Sequence, residues 1–453
     1  MTQCSQESFE FAAHFSRRVV GQFDGARMTT DGGALLLRQA DRKIGLLRRV
    51  AEGFTDGRDP RRVEHPLGEM LGQRIYGLAL GYEDLNDHEQ LRCDSLLGLL
   101  AGKRALEEPL AGKSTLNRLE LTPAGSPATE RYHKITYSPE ALDALLVEIF
   151  LEAHPQAPRQ IVLDLDATDT PLHGEQEARF FHGYYGHYCY LPLYLFCGDH
   201  LLCARLRPSN QDASAGCVEE LQRIVAQIRR RWKSTRIIVR ADSGFCREEL
   251  MAWCEAHQVD YVLGLARNQR LRKRIARQLR QAKQEHRLTG KPARVFREFF
   301  YRTRNSWSRS RRVVAKAEHL EKGENPRFVV TSLAAELWET RALYELLYCE
   351  RGEMENRIKE QLSLFSDRLS TETLRANQLR LYFSSFAYVL VHALRRLALA
   401  GTEWATAQVD TIRLRLLKIA AEVRLTARRI WLRYSCAYPW KNLFAAAWSA
   451  LRC

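Results

Sequence analysis

Apolar residues along the chain follow two rhythms. In Gly32 to Val50 and in Pro66 to Leu80 they recur every third or fourth position, the period of a helix that buries one face. The first 155 residues therefore read as mainly helical. From Gln160 the rhythm changes. Ile161-Val162-Leu163-Asp164-Leu165-Asp166 is a short β-type run, and Tyr190 to Phe196 and Leu201 to Leu206 read as two further strands turned by Gly198-Asp199. Cys217 to Trp232 is predicted as an amphipathic helix, Arg236 to Arg240 as a strand closed by Ala241-Asp242-Ser243-Gly244, Glu248 to His257 as a helix and Val259 to Leu265 as a strand. Three meandering strands followed by alternating helix and strand predict an α/β fold, a mixed sheet with helices packed on it. Beyond it, a helix is expected over Arg270 to His286 and strands over Val295 to Tyr301, Arg311 to Ala317 and Arg327 to Leu333. Helical spacing returns in Leu337 to Leu362, Thr373 to Ala398 and Asp410 to Ala421.

Charge adds a partner to this picture. With 453 residues the chain suffices for two or three domains, and its formal charge is +15. That balance favours a polyanion, nucleic acid first and an anionic membrane surface second. From Ala266 through Lys316 there are 18 Lys and Arg against 2 acids, a local +16 that exceeds the total of the whole chain. The positive charge is therefore localised. Leu381 to Ala400, the most apolar stretch, is broken by Ser384, Ser385, His392, Arg395 and Arg396 and reads as a buried helix, with no membrane span. Eleven cysteines, Cys4 among them, form no Cys-x-x-Cys pair, so zinc ribbons and redox dithiols are unsupported. Met1 to Phe11 lacks the basic-then-apolar start of a signal peptide, and a reducing cytoplasm is the expected compartment.

Candidate chemistry lies at strand ends. Asp166 closes one apolar run and Asp242 another, and carboxylates at adjacent strand ends lie in the crevice where α/β sheets place ligands. Asp164 and Asp166 face one side of their strand and Leu163 and Leu165 the other. Hard oxygen donors so close repel unless a cation sits between them, the setting for magnesium. Either aspartate alone also reads as a turn-former or helix cap. Further on, Tyr348, Arg351, Glu355 and Lys359 are spaced 3, 4 and 4 and share one helical face. Taken alone, that stripe reads as a solvated surface with a salt pair. Near residue 113, Lys113-Ser114-Thr115-Leu116-Asn117-Arg118 offers Ser114 as an N-cap and Arg118 in a first turn, either the reading helix of a helix-turn-helix or an ordinary surface helix. In the basic segment Arg302, Arg304, Arg311 and Arg312 are candidates for backbone phosphates. Trp307, flanked by cations, reads either as a packing residue or as a face for an unpaired base.

Taken together, Asp166-Ala167-Thr168, Arg240-Ala241-Asp242-Ser243-Gly244-Phe245 and Tyr348-x-x-Arg351-x-x-x-Glu355 resemble the three catalytic blocks of the DDE transposases of bacterial insertion sequences. The wording is closest to the family numbered thirteen-eighty, in the clan with a Tyr-Arg-Glu-Lys signature. Phe181-His182-Gly183-Tyr184-Tyr185-Gly186-His187-Tyr188 and Leu206-Arg207-Pro208-Ser209-Asn210 are similar to strands of that family, and the resemblance runs from about Thr29 to Pro439. It implies a ribonuclease-H-like core over 156–266 and 334–400, a basic β-rich insertion over 267–333 before the glutamate, a helical region over 1–155 that binds DNA ends, and a basic C-terminal region over 401–453. By the same resemblance Asp166, Asp242 and Glu355 are the catalytic ligands of Mg²⁺ or Mn²⁺, two ions about 4 Å apart, while Tyr348 and Arg351 place phosphate. The clan's lysine lies seven residues after the glutamate, where this chain has Leu362; Lys359 lies on the same face and is the alternative. Asp164 is the alternative first ligand. The implied partner is double-stranded DNA, transposon ends and target, bridged by a homodimer in the bacterial cytoplasm near the nucleoid. A metal nuclease that cuts without joining, and a non-catalytic DNA-binding protein, are the rival readings.

Overall fold

The computed structural model describes residues 8–122, 125 and 132–452; Cys4 and the first residues of the Met1 to Phe11 stretch lie outside them. The chain divides into two compact units. One comprises Glu52–Gly57 and Glu120–His392; the other Met1–Ala51, Arg58–Leu119 and Ala393–Cys453.

The first unit is built on a mixed sheet of nine strands. Its main strands are β1 (Gln160–Ala167), β2 (Leu193–Cys197), β3 (His200–Arg205), β4 (Arg236–Ala241), β5 (Asp260–Leu265), β6 (Ala293–Tyr301), β7 (Arg311–Leu320) and β8 (Arg327–Thr331). They lie in the order β3-β2-β1-β4-β5-β8-β7-β6, with Gly323–Glu324 paired to the end of β7. β1 is antiparallel to β2 and parallel to β4, and β4 is parallel to β5. Side chains alternate across each strand, so both faces are buried. On one face Leu163, Leu165, Ile237, Val239, Tyr261, Leu263, Val313 and Val330 pack under Val147 and Phe150 of helix α1 (Pro139–Glu152), Leu221 and Ile224 of α2 (Cys217–Arg231) and Leu250 of α3 (Glu248–Ala256). On the other face Ile238, Val262, Val314 and Val329 meet Leu343, Tyr344 and Leu347. Each such side chain contributes about 1.5–3 kcal/mol of burial.

Two expectations about organisation fail here. Segment 267–333, expected as a separate insertion, extends the main sheet: β8 pairs with β5, and β7 and β6 follow. The consecutive apolar run Val313, Val314 and Ala315 needs cover on both faces, and joining that sheet buries it. The strand expected over Tyr190 to Phe196 is broken at Leu191-Pro192, leaving His187–Tyr190 in a small sheet with Thr170–Pro171 and Phe180–His182.

The second unit is helical where the spacing predicts it, with helices Leu35–Ile44, Leu46–Glu52 and Leu67–Ala79. It also takes in the C-terminal region. Ala421–Leu425 pairs with Met28–Thr29 on one side and Ile430–Tyr434 on the other, so 401–453 is no separate domain. Helix Lys113–Glu120 starts one residue before Ser114, which is therefore no N-cap; the Glu89 carboxylate accepts from the Lys113 N–H instead, at 2.9 Å. Arg118 is exposed on that helix. Among the described residues no helix is long and apolar enough to cross a membrane.

Candidate active site

The register of the sheet brings the two aspartates together. Arg240 pairs with Asp164 and Ala241 with Leu165, which carries Asp242 out beside Asp166 at the ends of β4 and β1. The strand β1 then presents two aspartates to one face with different fates. Asp164 is buried, and its two oxygens accept from Arg240 Nε at 2.5 Å and Nη2 at 2.8 Å. The same guanidinium donates from Nη1 to the Leu347 carbonyl at 2.5 Å. Asp164 is thus held in a closed pair.

Asp166 is held more loosely. Its Oδ1 accepts from the Ala167 N–H at 2.9 Å and its Oδ2 from Arg351 Nη1 at 3.3 Å. Burial pushes its carboxyl up to about 6; Arg351 opposes the rise, and the charges of Asp242 and Glu355 add to it. Asp242 caps the turn Ser243–Phe245, its Oδ1 accepting from the Gly244 N–H at 2.8 Å, so one oxygen serves the cap that its sequence context predicts.

The third acid arrives on an irregular helix. The segment expected as continuous from Leu337 to Leu362 is a π-helical turn over Leu343–Tyr348, a 3₁₀ turn over Cys349–Arg351 and then helix α4, Gly352–Leu362. Such π turns recur at functional sites because they leave backbone carbonyls for other donors. Here Arg240 takes that of Leu347. Arg351 and Glu355 keep the four-residue spacing, with Arg351 Nη2 donating to Glu355 Oε1 at 3.0 Å. One guanidinium therefore bridges Asp166 and Glu355. Lys359 is exposed one turn further along α4.

Tyr348 reaches the back of the same site. A methyl group placed on Gly264 would stand 2.6 Å from the Tyr348 hydroxyl and 2.9 Å from the Ser243 nitrogen, so only glycine fits there. Beside it opens a cavity of about 380 Å³ lined by Ser243, Gly264, Arg267, Arg327, Phe328 and Tyr348. Burial raises the Tyr348 hydroxyl, with Arg351 and Arg327 opposing and Asp242 adding. Gly264, Arg267 and Arg327 were not singled out in the sequence. A lone glycine inside the apolar strand Val262-Leu263-Gly264-Leu265 is the one signal that pointed there, since it marks close backbone approach.

The donor chemistry suits a hard cation, with three neighbouring carboxylates, one of them raised chiefly by burial and further by the other two. Among the described residues, however, no three acids converge closely enough to hold an ion, and Arg351 stands as the counter-charge between two of them.

The basic segment is sorted by burial. Trp307 is 5% exposed, packed edge-on against Tyr301 with Arg311 over its ring, and offers no face to a base. Arg311 is buried between Glu248 at 2.6 Å and Glu255 at 2.7 Å, and Arg312 bonds Glu298 and the carbonyls of Leu333 and Trp338. The charges of these two arginines are spent inside the protein, and neither is on hand for phosphate. Arg302 and Arg304 remain exposed, with Arg302 Nε donating to the Trp307 carbonyl at 3.0 Å.

The profile of the family described as Transposase DDE domain group 1 matches residues 11–453 of this chain. None of the curated proteins compared matches it. Among solved structures, a cryo-EM structure of a piggyBac transposase synaptic complex with hairpin DNA is similar at a TM-score of 0.42 and 9% identity, over 94% of this chain and 82% of that one.

Proposed function

Because the chain belongs to the Transposase DDE domain group 1 family, we propose that it cleaves DNA at the inverted repeats of a bacterial insertion sequence and joins the freed ends to target DNA. The observation that carries this reading is that Asp166 and Asp242 stand at the ends of adjacent parallel strands, with Glu355 of α4 joined to Asp166 through Arg351. The order β3-β2-β1-β4-β5, antiparallel through the first three strands and parallel through the last two, supports the ribonuclease-H-like core.

Asp166, Asp242 and Glu355 would hold Mg²⁺ or Mn²⁺. When bound, such ions neutralise charge on the attacking and leaving oxygens of a phosphodiester displaced in line. The chain's own residues do the rest. Arg351, freed from its bridge, turns its guanidinium to two oxygens of a phosphate, a bidentate acceptor that suits its geometry. Tyr348, seated on Gly264, fixes one wall of the site, and Arg267 and Arg327 lend positive charge to the cavity beside it. Asp164 is assigned to Arg240 and Asp166 to the metal. Lys359, at the surface of α4, extends the phosphate track in place of the lysine that Leu362 replaces. Exposed Arg302, Arg304 and Arg118 supply non-specific affinity for double-stranded DNA, and a pair of subunits bridges the two ends.

Incubation with candidate inverted-repeat ends and manganese, followed by sequencing of products, tests this. Nicked ends with 3′-hydroxyls and joined target molecules are expected. Cutting without joining would support a nuclease, and binding without cutting a non-catalytic protein.

A further inference from the structure

Residues Ser8–His14 and Arg17–Gln22 form a two-stranded hairpin in which every side chain is exposed except at Gly21. Its register sorts those side chains. Phe9 lies across from Gly21 and Phe11 from Val19, so Phe9, Phe11 and Val19 share one face, and Phe23 meets Phe9 edge-on at 5.8 Å. The opposite face carries Glu10 in an ion pair with Arg18. Apart from Val20 and Arg17, this alternation is that of a hairpin with one face covered. An isolated hairpin is at best marginally stable in water. Yet Phe9, Phe11 and Phe23 are 42%, 64% and 95% exposed.

The same unit carries a second open apolar surface. Leu35 and Leu36 of helix Leu35–Ile44, Ile430 and Leu432 of strand Ile430–Tyr434, and Phe444 and Trp448 of helix Lys441–Arg452 line a groove of about 550 Å³. That is the size of a ligand pocket, about 300–1,000 Å³, and Ile430 and Trp448 are 42% and 43% exposed.

We propose that this hairpin docks, apolar face down, in the groove of a second copy of the chain, and that the second copy returns its own hairpin in exchange. This names a surface for the subunit pairing proposed above, and its test reads mass, so it fails separately from the chemistry. Area decides between the ways two copies could meet. The three phenylalanines expose roughly two whole rings, about 400 Å². Two hairpins face to face would bury about 800 Å² in total, the scale of a chance contact. A reciprocal exchange covers a hairpin and a groove on each copy, about 1,600 Å², the size of a stable interface. It also closes under a two-fold axis, so no open edge propagates. DNA is the poorer occupant, because Phe9, Phe11 and Val19 dominate that face, Arg17 stands only at its turn end, and Arg18 lies on the other side in its ion pair with Glu10.

The test is the mass of the full chain in solution by light scattering. Wild type is expected as a dimer. Phe11→Glu with Phe23→Glu, and separately Trp448→Glu, should raise the dimer dissociation constant at least tenfold with unchanged circular dichroism. Mixing these two variants should restore part of the dimer, since one intact hairpin then meets one intact groove. Where Trp448→Glu fails to fold, two differently tagged chains carrying Phe11→Cys and Trp448→Cys should cross-link to each other, with the linked peptides identified by mass. A monomeric wild type overturns the exchange. So does a Trp448→Glu dimer of unchanged affinity, which would mean hairpins meet each other. Loss of DNA binding with mass unchanged would assign the hairpin to DNA and overturn it equally.

Discussion

Asp164 and Asp166 stand two residues apart on one face of one strand, and the protein treats them in opposite ways. Asp164 is enclosed, with both oxygens bonded to a guanidinium that also ties down the π-helical turn. Asp166 keeps one long contact to Arg351 and lies within the field of two further carboxylates, which with burial hold its proton to about 6. A charge meant for structure is saturated with partners. Asp166 is left with capacity and with repulsion from its neighbours, a combination that clusters at functional sites. The arginines of the basic segment repeat the contrast, with Arg311 and Arg312 paired to Glu248, Glu255 and Glu298 and Arg302 and Arg304 facing water.

The sharpest way to break the comparison is catalytic. Asp166→Asn should cost at least about 10⁴-fold in cleavage rate, near 5.5 kcal/mol on the barrier, with folding and DNA binding retained. Asp242→Asn and Glu355→Gln should match it. An active Asp166→Asn beside a well-folded but inactive Asp164→Asn would reverse the two roles.

Next comes stability. Asp164→Asn or Arg240→Gln leaves one buried partner uncompensated, and denaturant unfolding should show a loss of about 3–5 kcal/mol. If either variant unfolds like wild type, the pair is not what holds β1, β4 and the π turn together.

The third effect has the opposite sign. The folded-state carboxyl of Asp166 sits at about 6, above its unfolded value of 3.8, so the folded protein binds that proton more tightly. Its contribution is present below about pH 4 and is lost as pH rises through 6. Asp166→Asn removes that liability. In metal-free buffer its melting temperature should exceed that of wild type at pH 8, by no more than about 3 kcal/mol in stability, and the gap should close as pH falls toward 4. A gap that stays constant with pH would mean Asp166 carries no such strain.

The smallest effect tests the arginines. Arg302→Gln with Arg304→Gln should reduce the slope of log affinity for DNA against log salt by about 0.9 per lost phosphate contact. Arg311→Gln and Arg312→Gln should leave the slope alone and lower the melting temperature. A changed slope in Arg311→Gln would put that side chain on DNA after all.

Much of this architecture is written locally. The short apolar runs in Ile161 to Leu165 and Ile237 to Val239, closed by turn residues, report strands locally, so strands, their bounding turns and the two strand-end aspartates were legible in the chain itself. The four-residue spacing of Arg351 and Glu355 survives the irregular helix for the same reason, since it spans a single turn. What covers each face is another matter. Period reports that a face is buried and says nothing of its neighbour, so the joining of Arg311–Leu320 to the main sheet, the return of Ala421–Leu425 to Met28–Thr29 and the burial of Trp307 are decided only by packing. Electrostatics is less local still. Asp164 and Asp166 read alike until Arg240, 76 residues from Asp164, and Arg351, 185 residues from Asp166, arrive to distinguish them. A carboxylate's role depends on the charges within a few ångströms, and the chain must fold before those are chosen.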